Sequence, residues 1–138
     1  MNITSDCFSE LGAEDGEKFI SMEKLRLLPP LRGGLGRGQT PMLFRNKTLN
    51  QLSSVKGITV NTVHGNATSI KKIVSRVKPD VESMEGAAFM QVCSDLKIPC
   101  FQIRSISNYV ERRNKKNWNI PLSIKNLNKK LIEIIISL

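Results

Sequence analysis

Two short blocks of this sequence hold the residues whose types and spacing suit chemistry. In Val81-Glu82-Ser83-Met84-Glu85-Gly86 two carboxylates flank a Ser-Met pair, and in Arg104-Ser105-Ile106-Ser107-Asn108 a cation and an amide alternate on one face of an extended chain. Carboxylates accept hydrogen bonds, amides donate and accept, and a cation among apolar residues needs an anionic partner. The plainer alternative is a capped helix start for the acids and a strand-to-loop turn for Asn108.

A helix and a strand must position these two blocks. Apolar residues at i, i+3, i+4 and i+7 predict a helix after Glu85, with this buried stripe: Phe89, Val92, Cys93 and Leu96. Lys97-Ile98-Pro99 ends that helix, and residues 100–106 predict a buried strand that runs on toward Asn108. The prediction therefore puts Glu85 at the start of a helix and Asn108 at the end of a strand.

A second strand-helix unit lies earlier in the chain. The β-branched run 56–63 predicts a buried strand that ends at His64-Gly65-Asn66. The helix after it has one apolar face: Ile70, Ile73, Val74 and Val77. Ligands of open α/β sheets bind at the carboxyl ends of strands, which makes His64, Asn66 and Thr68 candidate ligand contacts. The alternative is that Asn66 caps the helix and His64 is a turn residue.

The remaining segments predict loops and helices that complete an α/β fold with a helix-covered sheet. Residues 1–16 predict a loop, with Asp15 capping a short helix that carries Phe19. Residues 29–40 predict a flexible Pro/Gly-rich loop, and a modest helix follows from Thr40-Pro41. The charged loop 109–119 is expected to fold back through Trp118. The last helix has this predicted buried face: Ile124, Leu127, Leu131 and Ile135.

Composition limits the class of protein. The 138 residues fit one domain, 1–138, and the net charge of +9 is spread along the chain without a nucleic-acid reading motif, so no nucleic-acid partner is expected. Three cysteines predict reduced thiols in a cytoplasm. A single histidine and the lack of a Cys-x-x-Cys pair predict no metal site and no cofactor. The apolar run 131–136 is too short to span a membrane.

The order and spacing of the blocks resemble the purine nucleoside phosphorylase and nucleosidase superfamily, and within it the futalosine hydrolases of the menaquinone pathway. The likeness rests on residues 81–89 and 104–108, with weaker support from 61–66 and 11–16. It implies a three-layer α/β/α fold with a mixed central sheet, a nucleoside substrate, no cofactor and a homo-oligomer. The alternatives are a nucleoside phosphorylase of the same fold and an inactive basic fragment that binds nucleic acid.

The resemblance also implies residue roles. Glu85 would accept hydrogen bonds from two ribose hydroxyls, with Met84 as an apolar wall against the sugar. Asn108 would accept a hydrogen bond from N7–H and donate one to O6 of a 6-oxopurine, whereas adenine-specific relatives are expected to carry Asp there. Arg104 would pair with a carboxylate and help to position the attacking water. The implied reaction is hydrolysis that releases hypoxanthine.

The sequence departs from the family pattern in two places. No residue here matches the glutamate that orients the attacking water after the family's first strand, so the likeness implies a fold that is incomplete at the amino end. The 138-residue chain is accordingly expected to have little activity by itself. In addition, Ser83-Met84-Glu85 stands where adenine nucleosidases have Glu-Met-Glu, which leaves Glu82 without an assigned role.

Overall fold

A computed structural model describes residues 1–25, 38–39 and 46–137, and its centre is a five-stranded mixed sheet. The strands are β1 Asn2–Phe8, β2 Gly12–Asp15, β3 Lys18–Ser21, β4 Gly38–Gln39, β5 Ser54–Thr59, β6 Val81–Ser83 and β7 Gln102–Ile103. The helices are α1 Met22–Leu25, α2 Lys47–Asn50, α3 Ala67–Val77, α4 Gly86–Asp95 and α5 Ile120–Ile136. The predicted loop 29–40, apart from Gly38–Gln39, and the predicted helix start at Thr40-Pro41 lie outside the described residues.

The sheet has the order β4-β1-β5-β6, and β7 also pairs with β1. Strands β1, β5 and β6 run parallel, while β4 and β7 run antiparallel to β1. Neighbouring side chains on a strand point to opposite faces. On β5, Ile58 packs with Ile73 of α3, whereas Thr59 accepts a hydrogen bond from the backbone N–H of Ala87 in α4. Helices α3 and α4 therefore cover opposite faces, and the predicted three-layer α/β fold with a mixed sheet is confirmed.

The amino-terminal segment was the largest error of the sequence prediction. Residues 1–16 are not a loop, because β1 pairs with β5 along its whole length and buries Ile3 and Asp6. Strands β2 and β3 form a hairpin, so Asp15 ends a strand and Phe19 lies in one rather than in a helix. Polar residues in β1 concealed the strand, since its pairing with a distant segment decides the conformation.

Helix α4 starts after Glu85 as predicted but buries a different face. Ala87 and Met90 are buried, whereas three of the four residues of the predicted stripe are exposed: Phe89, Val92 and Leu96. Helix α4 approaches the sheet through its smallest residues, and a Cβ at Gly86 would collide with the carboxylate of Asp6. The face of α4 with small residues therefore packs against the sheet, and the face with the larger apolar side chains does not.

Two predicted strands are shorter than expected. β5 ends at Thr59, and residues 61–63 are exposed. β7 covers only Gln102–Ile103, with one further exchange of hydrogen bonds between Arg104 and Met1. Asn108 therefore lies beyond the strand that was predicted to end at it. Residues after Arg104 have no strand partner in the described part of the chain, which explains the early end.

The long helix α5 is capped by Asn119, whose side chain accepts a hydrogen bond from the backbone N–H of Leu122. Its predicted buried face is only partly correct, because Ile124 and Ile135 are exposed and Ile134 is the buried residue. The side chain of Asn46, which caps α2, donates to the carbonyl and the hydroxyl of Ser137 at the end of α5. Among the described residues no helix is long and apolar enough to cross a membrane.

Candidate functional site

A cavity of about 730 Å³ opens where β5 and β6 end. Its walls include the loop after β5, the segment between β6 and α4, and the chain from Gln102 to Val110. The following charged or amide side chains from the sequence prediction line it together: His64, Glu85, Arg104 and Asn108. The blocks 81–86 and 104–108 thus line one cavity. They do so although β7 runs antiparallel to β1 and is therefore not parallel to β6.

Glu85 occupies the N-cap position of α4 without a side-chain hydrogen bond to that helix. Its side chain is 74% exposed, and its Oε2 lies 4.0 Å from Nη2 of Arg104. The carboxylate therefore has free lone pairs on the cavity wall, next to a cation and to the positive end of a helix dipole. An exposed pair at this distance contributes little to stability, so the carboxylate can turn toward a ligand at small cost.

Arg104 is held by neighbours on both sides of its guanidinium. Its Nε donates to Oε1 of Gln102 at 2.8 Å, while Nη2 faces Glu85. The buried Gln102 side chain in turn donates to the carbonyl oxygen of Gly86 at 3.5 Å. Arg104 and the start of α4 are consequently linked through one amide, which fixes the side of the cavity that carries Glu85.

Asp6 is a buried carboxylate behind this wall, and the sequence prediction missed it. Thr59 Oγ1 donates to Asp6 Oδ1 at 2.9 Å and accepts from the N–H of Ala87 at 2.7 Å. Burial raises the pKa of Asp6, and hydrogen bonds from Thr59 and Gln102 and the charge of Arg104 offset part of that rise. The network joins β1, β5, β7 and α4 beneath Glu85, and its role is to hold those elements in register.

Asn108 lines the cavity, but its amide is engaged by adjacent residues. Its Oδ1 accepts a hydrogen bond from Ser107 Oγ at 2.7 Å, and its Nδ2 donates to the carbonyl oxygen of Tyr109 at 2.9 Å. Both contacts lie within one residue of Asn108 and involve groups that water can replace. A ligand that offers one donor and one acceptor can therefore take over both positions.

Three other candidate contacts lie outside the described cavity lining: Met84, Asn66 and Thr68. Asn66 caps α3, with its Oδ1 accepting from the N–H groups of Thr68 and Ser69, so the capping alternative describes its observed contacts. Thr68 is exposed in the first turn of α3, and the side chain of Met84 is half exposed beside Glu85. The structure thus separates these three residues from the cavity that Glu85 and Asn108 share.

His64 and Glu82 form a pair in the cavity wall that the sequence did not indicate. Glu82 Oε1 accepts from the backbone N–H of His64 at 2.9 Å, and Glu82 Oε2 is hydrogen-bonded to His64 Nδ1. The side chains are 12% and 8% exposed, respectively. Glu82 faces the α3 side of the sheet because it pairs with Ile58 in the register of β5 and β6. The two residues are eighteen positions apart, and the parallel pairing of β5 with β6 brings the loop after β5, which carries His64, next to Glu82.

The loop 109–119 forms the outer wall of the cavity and folds back through Trp118, as predicted. Trp118 is half-buried and lines the cavity, with the guanidinium of Arg113 5.4 Å from its ring centre. The N–H of Asn119 donates to the carbonyl oxygen of Ser107 at 2.8 Å, which ties the end of the loop to the Asn108 segment. No group of three or more potential metal ligands occurs among the described residues.

Comparison with known proteins gives one match. The family model described as the phosphorylase superfamily matches residues 50–137, well over half of the chain. The matched segment contains both blocks that line the cavity, as well as His64 and Glu82. No curated protein and no solved structure matches the chain. Members of the matched family are nucleoside phosphorylases and nucleosidases. By this match and by its mixed sheet between helical layers, the chain belongs to the phosphorylase superfamily.

Proposed function

We propose that this protein hydrolyses the N-glycosidic bond of a 6-oxopurine nucleoside and releases hypoxanthine, the reaction of the futalosine hydrolases in menaquinone biosynthesis. The observation that carries the proposal is the shared cavity of Glu85 and Asn108. A volume of about 730 Å³ falls within the range of small-molecule sites. Such a cavity has room for a nucleoside with a substituent on its sugar.

Glu85 holds the ribose in this proposal. Its exposed carboxylate accepts hydrogen bonds from two adjacent sugar hydroxyls, which its position at the start of α4 leaves free for that purpose. As the glycosidic bond breaks, positive charge develops on the sugar ring, and a nearby carboxylate stabilises it. The contact is therefore stronger in the transition state than in the ground state, which is the requirement for catalysis.

Asn108 selects the base. The Oδ1 and Nδ2 atoms that now contact Ser107 and Tyr109 accept from N7–H and donate to O6 of the departing purine. A carboxylate at the same position would repel O6 and favour a 6-amino group instead. Arg104, which donates to Gln102 and faces Glu85, helps to position the attacking water.

The test is to incubate the protein with inosine and with 5′-extended inosines and to separate the products by chromatography, at a protein concentration high enough to detect the low activity expected of residues 1–138. Free hypoxanthine is expected from both, together with ribose from inosine and the 5′-extended ribose from the extended substrates, at a rate that does not depend on added phosphate. Ribose 1-phosphate formed only when phosphate is present would instead identify a nucleoside phosphorylase. Salt-sensitive binding of oligonucleotides without release of any base would overturn both enzymatic readings.

An Asn108→Asp substitution tests the role of the base contact. Its expected effect is a shift of the kcat/KM ratio by about tenfold toward 6-aminopurine nucleosides, because an ionised carboxylate cannot donate to O6 but can accept from a 6-amino group. Asn114→Asp is the matched control, since Asn114 also lines the cavity but caps the 3-10 turn Lys115–Asn117. Unchanged 6-oxo preference in Asn108→Asp, or an equal shift in the control, would contradict the assignment.

A further inference from the structure

His64 is the single histidine of the sequence, and the structure places it on the wall of the cavity. It is 12% exposed and is hydrogen-bonded twice to Glu82, through the backbone N–H and through Nδ1. Behind it, Gly65 packs against the backbone of Arg113 and Glu111 at 4.0 Å from the position of a Cβ. The imidazole is consequently held by Glu82, and the backbone that follows it is packed against the loop 109–119.

The contact with Glu82 determines which ring nitrogen carries the proton. A carboxylate can only accept hydrogen bonds, so Nδ1 of His64 must donate and the neutral ring keeps its lone pair on Nε2. Nε2 has no hydrogen-bond partner in the described part of the chain. A carboxylate that orients an imidazole in this way also stabilises the imidazolium formed when Nε2 takes up a proton. The pair therefore has the arrangement of an oriented general base.

The other acids that line the cavity are committed elsewhere. Asp80 accepts from the backbone N–H of Lys56, Glu111 accepts from the side chain of Asn117, and Asp6 is buried with Thr59. Glu85 is assigned to the sugar hydroxyls. Asp80 and Glu111 are exposed and each uses one oxygen in these bonds, whereas His64 is nearly buried, is oriented by a carboxylate and keeps an acceptor atom on the cavity wall.

We propose that His64, oriented by Glu82, is the general base that activates the attacking water. The inference rests on the proposed hydrolysis and supplies a water-activating group within the described chain. In this step the water oxygen bonds to C1′ of the ribose while the C1′–N9 bond breaks with its electron pair going to the purine. One proton of the water passes to Nε2 of His64, and a proton from solvent water adds to N7 of the purine, so that hypoxanthine leaves as a neutral molecule. The imidazolium then returns its proton to solvent. His64 is a catalytic residue in this scheme, and Glu82 is a positioning residue.

The first experiment exploits the single histidine. In ¹⁵N-labelled protein, long-range ¹H–¹⁵N spectra report one imidazole, and the expected tautomer has the proton on Nδ1. Glu82→Gln is expected to produce a mixture of tautomers, whereas the control Glu111→Gln leaves the spectrum unchanged. Addition of inosine or hypoxanthine is expected to shift Nε2 together with the backbone amides of the cavity wall.

The second experiment measures catalysis. His64→Gln is expected to lower kcat by about 10²–10⁴-fold with little change in KM, and added imidazole is expected to restore part of the rate to His64→Gly. Circular dichroism and a thermal melt establish that both variants fold. A kcat within threefold of wild type, or an Nε2 signal that does not move when the ligand binds, overturns the inference and leaves the proposed function intact. If the wild-type protein neither binds nor cleaves 6-oxopurine nucleosides, the proposed function fails and the inference with it.

Discussion

The cavity contains two acid-base pairs whose surroundings differ. Glu82 and His64 are nearly buried and tightly hydrogen-bonded, whereas Glu85 and Arg104 are 74% and 36% exposed and 4.0 Å apart. The buried pair is hydrogen-bonded within the protein instead of to water, whereas the exposed pair is accessible to a ligand. Under the proposed function, this difference suits Glu85 to binding and transition-state stabilisation, and it suits Glu82 to holding His64 in place.

Among the predictions that compare the two pairs, the exposed pair gives the largest effect. Glu85→Gln should lower kcat/KM by about 10²–10³-fold, because the amide cannot stabilise the developing positive charge. The free energy of unfolding should change by less than about 0.5 kcal/mol, since the lost pair is exposed. Nucleoside kinetics and urea unfolding on the same preparation measure both quantities. A large loss in the free energy of unfolding, together with a kcat/KM close to that of the wild type, would contradict the catalytic role of Glu85.

The buried pair should show a clear loss of stability as well as of rate. Glu82→Ala leaves the backbone N–H and the Nδ1–H of His64 without acceptors, and we expect a loss of about 1–3 kcal/mol in the free energy of unfolding. Glu10→Ala is the control, because Glu10 accepts one exposed bond from the backbone N–H of Asn61. If the two variants lose the same free energy of unfolding, then burial does not make the Glu82–His64 contacts more stabilising than an exposed hydrogen bond.

Asp6 sharpens the comparison, because it is buried and forms no ion pair with the residues that the structure describes. Its pKa is raised by burial, so the folded state holds the proton more firmly, and stability falls as pH rises from 3.8 through the folded pKa. Asp6→Asn keeps an acceptor for Thr59 and should gain on the order of 1 kcal/mol at pH 7. The gain should vanish below pH 3.8. Thermal melts of the wild type and of Asp6→Asn at several pH values measure this gain in stability. A gain that does not change with pH would contradict its attribution to the raised pKa of Asp6.

The smallest effect concerns the thiols. Burial and a hydrogen bond with Cys93 raise the pKa of Cys100 to about 11. At pH 8 Cys100 should therefore react with iodoacetamide far more slowly than the half-buried Cys7, because the thiolate is the nucleophile. Mass spectrometry of peptides over a time course gives the rates. Labelling of Cys100 as fast as Cys7 would show that burial does not protect it.

The sequence predicted the parts of the fold that local pattern controls. Helix α3 with its Asn66 cap, the start of α4 after Glu85 and the Pro121 start of α5 all agree with the structure. Strand β1 was missed because its burial depends on pairing with β5, fifty residues away. The same reason hid His64–Glu82 and Asp6–Thr59, since each pair joins separate strands or the loops that follow them. Residue type located the candidate blocks, and long-range pairing determined their partners.

The central claim is that Glu85 and Asn108 bind one 6-oxopurine nucleoside between them, and titration with inosine by ¹H–¹⁵N NMR tests it most directly. We predict that the side-chain amide of Asn108 and the backbone N–H of Gly86, next to Glu85, shift along one saturating curve. Adenosine at the same concentrations should move the Asn108 amide much less. Inosine binding that leaves both signals in place, or no binding at all, would contradict the account.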